Sequence, residues 1–258
     1  MSKNQVSFNL FQCRYWTLIT AILLFALASH SAVSNAKGAI DGASRAGQFL
    51  FLTFYNTEDQ AFSAMSTNIA NFRKSTPKKT AVYNARMGDP NEKETVERYK
   101  VWQARLPLLL VIAPNGVVTA GFQQTATADQ LKQSVDIPGL HLKILKPLQE
   151  RKVVLVCLQN KATKFNMESE KAVKEFTADQ QFKQFVGSVH ADPSAKDSQD
   201  FLKQVGLPET MTEATVVILL PPNAIGKILK GNITKLDIVK SLQSCTAGSG
   251  CCGPSKKS

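Results

Sequence analysis

Three of the five cysteines fall within the last fourteen residues, in the run Ser244-Cys245-Thr246-Ala247-Gly248-Ser249-Gly250-Cys251-Cys252-Gly253-Pro254. Thiolates are soft donors, and three on one glycine-rich segment suit Cu(I) or Zn(II), with a fourth ligand supplied from outside. The same spacing lets Cys245 pair with Cys251 or Cys252, leaving a thiol for disulfide exchange or an intermolecular bridge. It also fits a stapled chain end or a tail with no role, and Cys-x5-Cys-Cys is not a standard zinc pattern. Cys157 lies inside the apolar run Val153–Leu158 and reads as a small buried core residue. Cys13 lies near the start of the chain, ahead of an apolar stretch.

Other reactive groups do not assemble. His30, His141 and His190 stand apart from any acid or nucleophile with a known spacing. There is no glycine-rich phosphate loop, no His-Glu-x-x-His and no Ca²⁺ loop. The carboxylate pairs Glu92/Glu94 and Glu168/Glu170 sit on polar helical stretches and read as solvated faces. The net charge is +11, but the basic residues are scattered (Lys78-Lys79, Arg151-Lys152, Lys256-Lys257) without interleaved aromatics. Nucleic acid is therefore not an expected partner; a solvated basic surface is.

The N-terminus has the layout of an export signal. Lys3 and Arg14 precede an uncharged stretch over residues 16–28, and no acid occurs before Asp41. Such a run is short of the roughly 20 residues that span a bilayer. Small residues offer cleavage after Ala26-Leu27-Ala28 or after Ser34-Asn35-Ala36. The expectation is export, periplasmic or secreted. The alternative is an uncleaved anchor, which would be the chain's only attachment to a membrane.

The remaining length accommodates two domains of roughly 100 residues each, and the chain repeats itself. Leu106 to Val118 and Ala214 to Gly226 are each an apolar run, a turn containing Pro-Asn and the start of a second strand. Strands are expected at Gln48–Tyr55 and Thr80–Met87, then a hairpin of Leu106–Ile112 with Val117–Phe122. Thr57 and Gln60 fit a capping box for a helix carrying Phe62, Met65, Ile69 and Phe72 on one face. Asn91–Trp102 and Thr127–Val135 are predicted helices. The second copy runs in the same order, with strands at Val153–Leu158, Val186–Ala191, Thr215–Leu220 and Ile225–Leu229. Asp192-Pro193 mirrors Asp89-Pro90. The order β-α-β-α-β-β-α makes a mixed α/β sheet with helices on both faces. The expected division is a signal peptide or anchor over 1–36, domains over 37–137 and 151–243, a linker over 138–150 and a Cys/Gly-rich tail over 244–258. A short amphipathic piece is expected at Leu140–Leu145 within the linker.

Each half resembles a thioredoxin-like domain. The resemblance is carried by Arg98–Val101, Arg105-Leu106-Pro107, the strand Leu108–Ile112 and the turn Asn115-Gly116. It places Pro107, after Leu106, where the family has its cis-proline loop, with Thr215 at that place in the second copy. The family's Cys-x-x-Cys positions fall near Asp59 and Phe62 in the first copy and near Thr163 and Asn166 in the second. None of these is cysteine, and residues 37–156 contain no cysteine at all. The resemblance thus implies two tandem thioredoxin-like domains without dithiol activity in the folds, holding a protein or peptide partner through Asn56–Asp59 and Leu106–Pro107. Any enzymatic activity would be of the thiol-disulfide oxidoreductase kind. The rival expectation is thiol chemistry or soft-metal binding in the tail.

Overall fold

The computed structural model describes residues 35–76 and 80–246. Within them each half is a four-stranded sheet with helices on both faces. The first half comprises α1 (Ala36–Arg45), β1 (Phe49–Tyr55), α2 (Gln60–Ser75), β2 (Thr80–Arg86), α3 (Lys93–Arg98), β3 (Leu108–Ile112), β4 (Val118–Gln123) and α4 (Ala128–Val135). The second comprises α5 (Gly139–Gln149), β5 (Val153–Leu158), α6 (Asn166–Ala178), β6 (Val186–Ala191), α7 (Lys196–Val205), β7 (Thr215–Leu220), β8 (Ala224–Lys230) and α8 (Lys235–Thr246).

The sheet orders are β2-β1-β3-β4 and β6-β5-β7-β8. In each, the first strand runs parallel to the second and antiparallel to the third, and a hairpin supplies the edge. The central strands β1 and β5 are buried on both faces, as unalternated apolar runs require. Alternation then divides their side chains between two cores. Leu50, Leu52 and Phe54 face α1, while Phe49 and Phe51 face Met65, Ile69 and Phe72 of α2 and Leu131 of α4. In the second half, Val154, Val156 and Leu158 pack with α5 and α7, and Leu155 and Cys157 with α6 and α8.

Each half opens with a helix that the expected order lacks. Residues 36–45, for which no element is expected from the sequence, form α1. Asn35 caps it by accepting from the Gly38 N–H at 2.8 Å, and Ala36, Ala39, Ile40 and Ala43 are buried. Residues 139–149, expected as a linker, form α5. Leu140, Ile144 and Leu148 enter the second half's core, while Leu142 and Leu145 pack against the first half's. The side-chain amide of Gln149 clasps the β4 backbone, accepting from the Val118 N–H at 3.1 Å and donating to the Val118 carbonyl at 2.6 Å. Asn115 donates to the Leu142 carbonyl at 2.8 Å. So α5 is the first helix of one half and a buttress of the other.

Three local expectations are corrected. The cap of α2 is Asp59, whose Oδ1 accepts from the Phe62 N–H at 2.9 Å, not Thr57. Asp59 stands directly before the first helical residue, so the shorter reach wins. The predicted helix over Asn91–Trp102 is broken into a 3-10 turn at Pro90–Glu92, α3, and a second turn at Val101–Gln103, because Lys100 adopts φ 51°. The last helix continues to Thr246, so Cys245 lies on α8 rather than beyond it.

Candidate functional site

In the first half β1 delivers Tyr55 to the carboxyl end of the sheet, and the chain turns through Asn56–Glu58 into α2. Tyr55, Asn56, Thr57, Glu58 and Arg86 line a cleft of about 330 Å³ there. Asp59 is committed to capping. Phe62 is buried and stacks on Tyr55, with ring centroids 4.4 Å apart and planes at 28°. Phe62, near which the resemblance puts the second thiol of a dithiol pair, is therefore an aromatic packing contact.

The Leu106–Pro107 peptide bond is cis. Gln124 holds this loop from the neighbouring strand. Its N–H donates to the Pro107 carbonyl at 2.7 Å, and its side-chain amide donates to the Leu106 carbonyl at 3.2 Å. The Leu106 N–H has no partner among the described residues. Leu106 is half-buried, and Trp102, four residues earlier, is exposed.

The second half fills the same region differently. Leu158 pairs with Thr215 as Phe54 pairs with Leu108, so register puts Ala214, and not Thr215, at the place of Pro107. Thr163 is buried; its Oγ lies 2.7 Å from Asn166 Oδ1 and donates there or to the Asn160 carbonyl at 2.9 Å, while the Asn166 amide donates to that carbonyl at 2.7 Å. The pair is a closed polar turn with no nucleophile. Lys164 donates to Thr212 and accepts from Ala214, forming a parallel bridge with Glu213. Lys164 thus covers the backbone on either side of Glu213, while the Glu213 N–H, the counterpart of the Leu106 N–H, also has no partner among the described residues.

Cys157 is fully buried on β5, and burial, with Glu170 nearby, pushes its thiol up to about 11. A thiol so placed is almost wholly protonated at neutral pH and unreactive. His190 is exposed opposite Cys157 on β6. His141 lies on α5, its Nε2 at 3.2 Å from Gln204. No group of three or more His, Cys, Asp or Glu able to hold a metal occurs among the described residues, and no helix there is long and apolar enough to cross a membrane. Cys251, Cys252 and residues 1–34, most of the segment expected as a signal peptide or anchor, lie outside the described residues.

Glu92, expected on a solvated face, is 1% exposed. Its carboxyl accepts the Ala36 N–H at 3.2 and 2.9 Å and the Tyr83 hydroxyl at 2.7 Å. Burial, with the Glu92 carboxylate beside it, holds the Tyr83 hydroxyl well above the usual phenol range. The available signal was Asp89-Pro90, which turns the chain just ahead of Glu92 and aims it inward. Its neighbour Glu94 is exposed and pairs with Lys37 at 2.9 Å.

No protein-family model and no curated protein sequence matches the chain significantly. Among solved structures, human ERp44 form I is similar at 12% identity over 83% of this chain and 56% of that one, with a TM-score of 0.36. The first two thioredoxin domains of Saccharomyces cerevisiae Eps1p are similar at 12% identity over 81% and 96%, with a TM-score of 0.30. The NTD_N/C domain of the alkylhydroperoxide reductase AhpF of Enterococcus faecalis is similar at 14% identity over 79% and 96%, with a TM-score of 0.28. By its own strand order, its helices on both faces and the repetition of that plan, the chain folds as two thioredoxin-like domains in tandem.

Proposed function

We propose that this is an exported thioredoxin-like protein without dithiol activity in its folds, serving as a protein- or peptide-binding scaffold. One observation carries the reading. Both helix starts that would present a thiol pair are closed by other chemistry, the Tyr55–Phe62 stack and the Thr163–Asn166 turn, while the Leu106 edge keeps a free backbone donor. An unpaired N–H beside a half-buried leucine suits an extended peptide, which supplies a carbonyl and an apolar side chain. The second half, where Lys164 bridges the backbone flanking Glu213, serves as support. The reaction expected of a dithiol is the test: insulin reduction by the mature protein stays at background. The protein binds extended peptides on an array, and this binding is lost on Leu106→Asp and kept on Glu213→Gln; no binding by the parent would overturn the scaffold reading. Insulin reduction that survives replacement of the tail cysteines would overturn the reading.

The crowding of Cys245, Cys251 and Cys252 supports a second reading, capture of Cu(I) or Zn(II) or disulfide exchange at the chain end. It is tested by free-thiol titration and metal stoichiometry of the whole protein, repeated with Cys251→Ser and Cys252→Ser. No metal uptake and no reducible disulfide would remove it.

A further inference from the structure

We infer that Glu92 fastens the N-terminus of the mature protein, and that the export segment is removed on the N-terminal side of Asn35. This rests on the export reading above. Of the two small-residue sites, the one closed by Ala28 is then used and the one closed by Ala36 is not.

The geometry separates them. Cleavage after Ala36 removes Asn35, whose side chain caps α1 through the Gly38 N–H. It removes Ala36, which is 0% exposed and packs in the same core as Leu50, Leu52 and Phe54. It also takes away the Ala36 N–H, the backbone donor that both Glu92 oxygens share. Glu92, 1% exposed, would keep only Tyr83. In exchange, α1 would begin with the ammonium of Lys37, a positive charge at the positive end of the helix dipole. A buried carboxyl left short of donors and a helix left without its cap both disfavour that product. Cleavage after Ala28 leaves every one of these contacts in place. Glu92 also comes from the turn before α3, so it ties the start of the fold to a segment more than fifty residues onward.

Two measurements on the full chain test this. The first is the intact mass and N-terminal sequence of the protein recovered after export. A start between residues 29 and 35 supports the inference, with Ser29 expected. A start at Ala36 or later overturns it while leaving export intact. An exported chain that still begins at Met1 overturns the inference in favour of an uncleaved anchor, and a chain that is not exported at all overturns the export reading. The second needs no export: limited trypsinolysis of the full chain, scored for cleavage after Lys37. That bond lies in the first turn of α1 and opens only when the helix detaches. Glu92→Gln keeps the size but weakens the acceptor, and should speed cleavage there by about tenfold. Far-ultraviolet circular dichroism confirms that the variant is folded. An unchanged rate in a folded variant would overturn the fastening role.

Discussion

Leu106 and Glu213 hold the same place in the two halves, each one residue before the position that precedes its third strand, yet only Glu213 is bridged. Lys164 donates to the Thr212 carbonyl at 2.9 Å and accepts from Ala214 at 2.8 Å, bridging the backbone on either side of Glu213, while the Leu106 and Glu213 N–H groups themselves both lack a partner among the described residues. The second copy therefore carries a backbone bridge flanking this place that the first lacks among the described residues. Amide hydrogen exchange reads this directly. The Ala214 amide should exchange at least about 100-fold more slowly than an unprotected amide, and the Leu106 amide within about tenfold of one. Addition of a bound peptide should protect Leu106 and leave Ala214 unchanged. Equal protection at the two amides in the free protein would contradict the asymmetry.

Cys157 gives the fold a dependence on alkaline pH. Its folded-state value of about 11 lies above the ordinary value of 9.0. The stabilising form is the neutral thiol. The contribution is whole below pH 9 and is lost as pH rises toward 11, because there the unfolded chain releases its proton first. A shift of this size corresponds to about 2–3 kcal/mol. Tyr83 and Tyr99, whose hydroxyls are also held above their usual range by burial, extend the loss to higher pH. Denaturant unfolding followed at intervals from pH 8 to 11 should show stability falling, and Cys157→Val should flatten the slope between 9 and 11. At pH 8, iodoacetamide should modify Cys157 only after unfolding, as scored by peptide mass.

What could be read from the residues, and what could not, follows from how each element is stabilised. The strands Phe49–Tyr55 and Val153–Leu158 are legible because burial on both faces requires an unbroken apolar run. The face of α2 is legible because Phe62, Met65, Ile69 and Phe72 recur at helical spacing. By contrast, α1 buries three alanines and one isoleucine, so no apolar stripe announces it. In α5, Pro147 and the preceding Pro138 read as breakers. The helix nevertheless contains Pro147, giving up the one i→i−4 hydrogen bond that its N–H would make. Glu92 and Gln149 are long polar side chains whose partners lie 56 and 31 residues away. Short-range pattern carries no trace of such contacts. At the candidate site, the missing thiols were plain, but the Lys164–Glu213 bridge depends on tertiary register alone.

Gly187 marks the contact between β6 and α5. A Cβ at that position would lie 3.0 Å from Pro147 Cβ. Neither atom belongs to a flexible chain end, so helix and strand must separate by a few tenths of an ångström. Gly187→Ala should destabilise the second half by about 1–3 kcal/mol. Pro147→Ala would not relieve it, because alanine keeps the Cβ, whereas Pro147→Gly in the Gly187→Ala background removes the clash. The check is a double-mutant cycle by chemical denaturation, with favourable coupling between Gly187→Ala and Pro147→Gly as the expected sign. Additive effects would show that the strand tolerates the methyl group by some other movement.

Phe62 and Asp59 separate packing from a vestigial redox role. Phe62 is 8% exposed and belongs to the stack with Tyr55 that closes the first half's helix start. Phe62→Ala should cost about 3–4 kcal/mol through lost burial and the cavity left behind. Asp59→Ala removes a single helix cap and should cost about 1 kcal/mol. Placing cysteine at both positions reproduces the spacing of a dithiol pair but sacrifices the stack and the cap together. The double variant should be less stable than the parent by several kcal/mol in its reduced form. Chemical denaturation of the reduced proteins gives the ranking. A double variant as stable as the parent would mean that the Tyr55–Phe62 stack contributes little, and would reopen the first helix start as a site prepared for thiol chemistry.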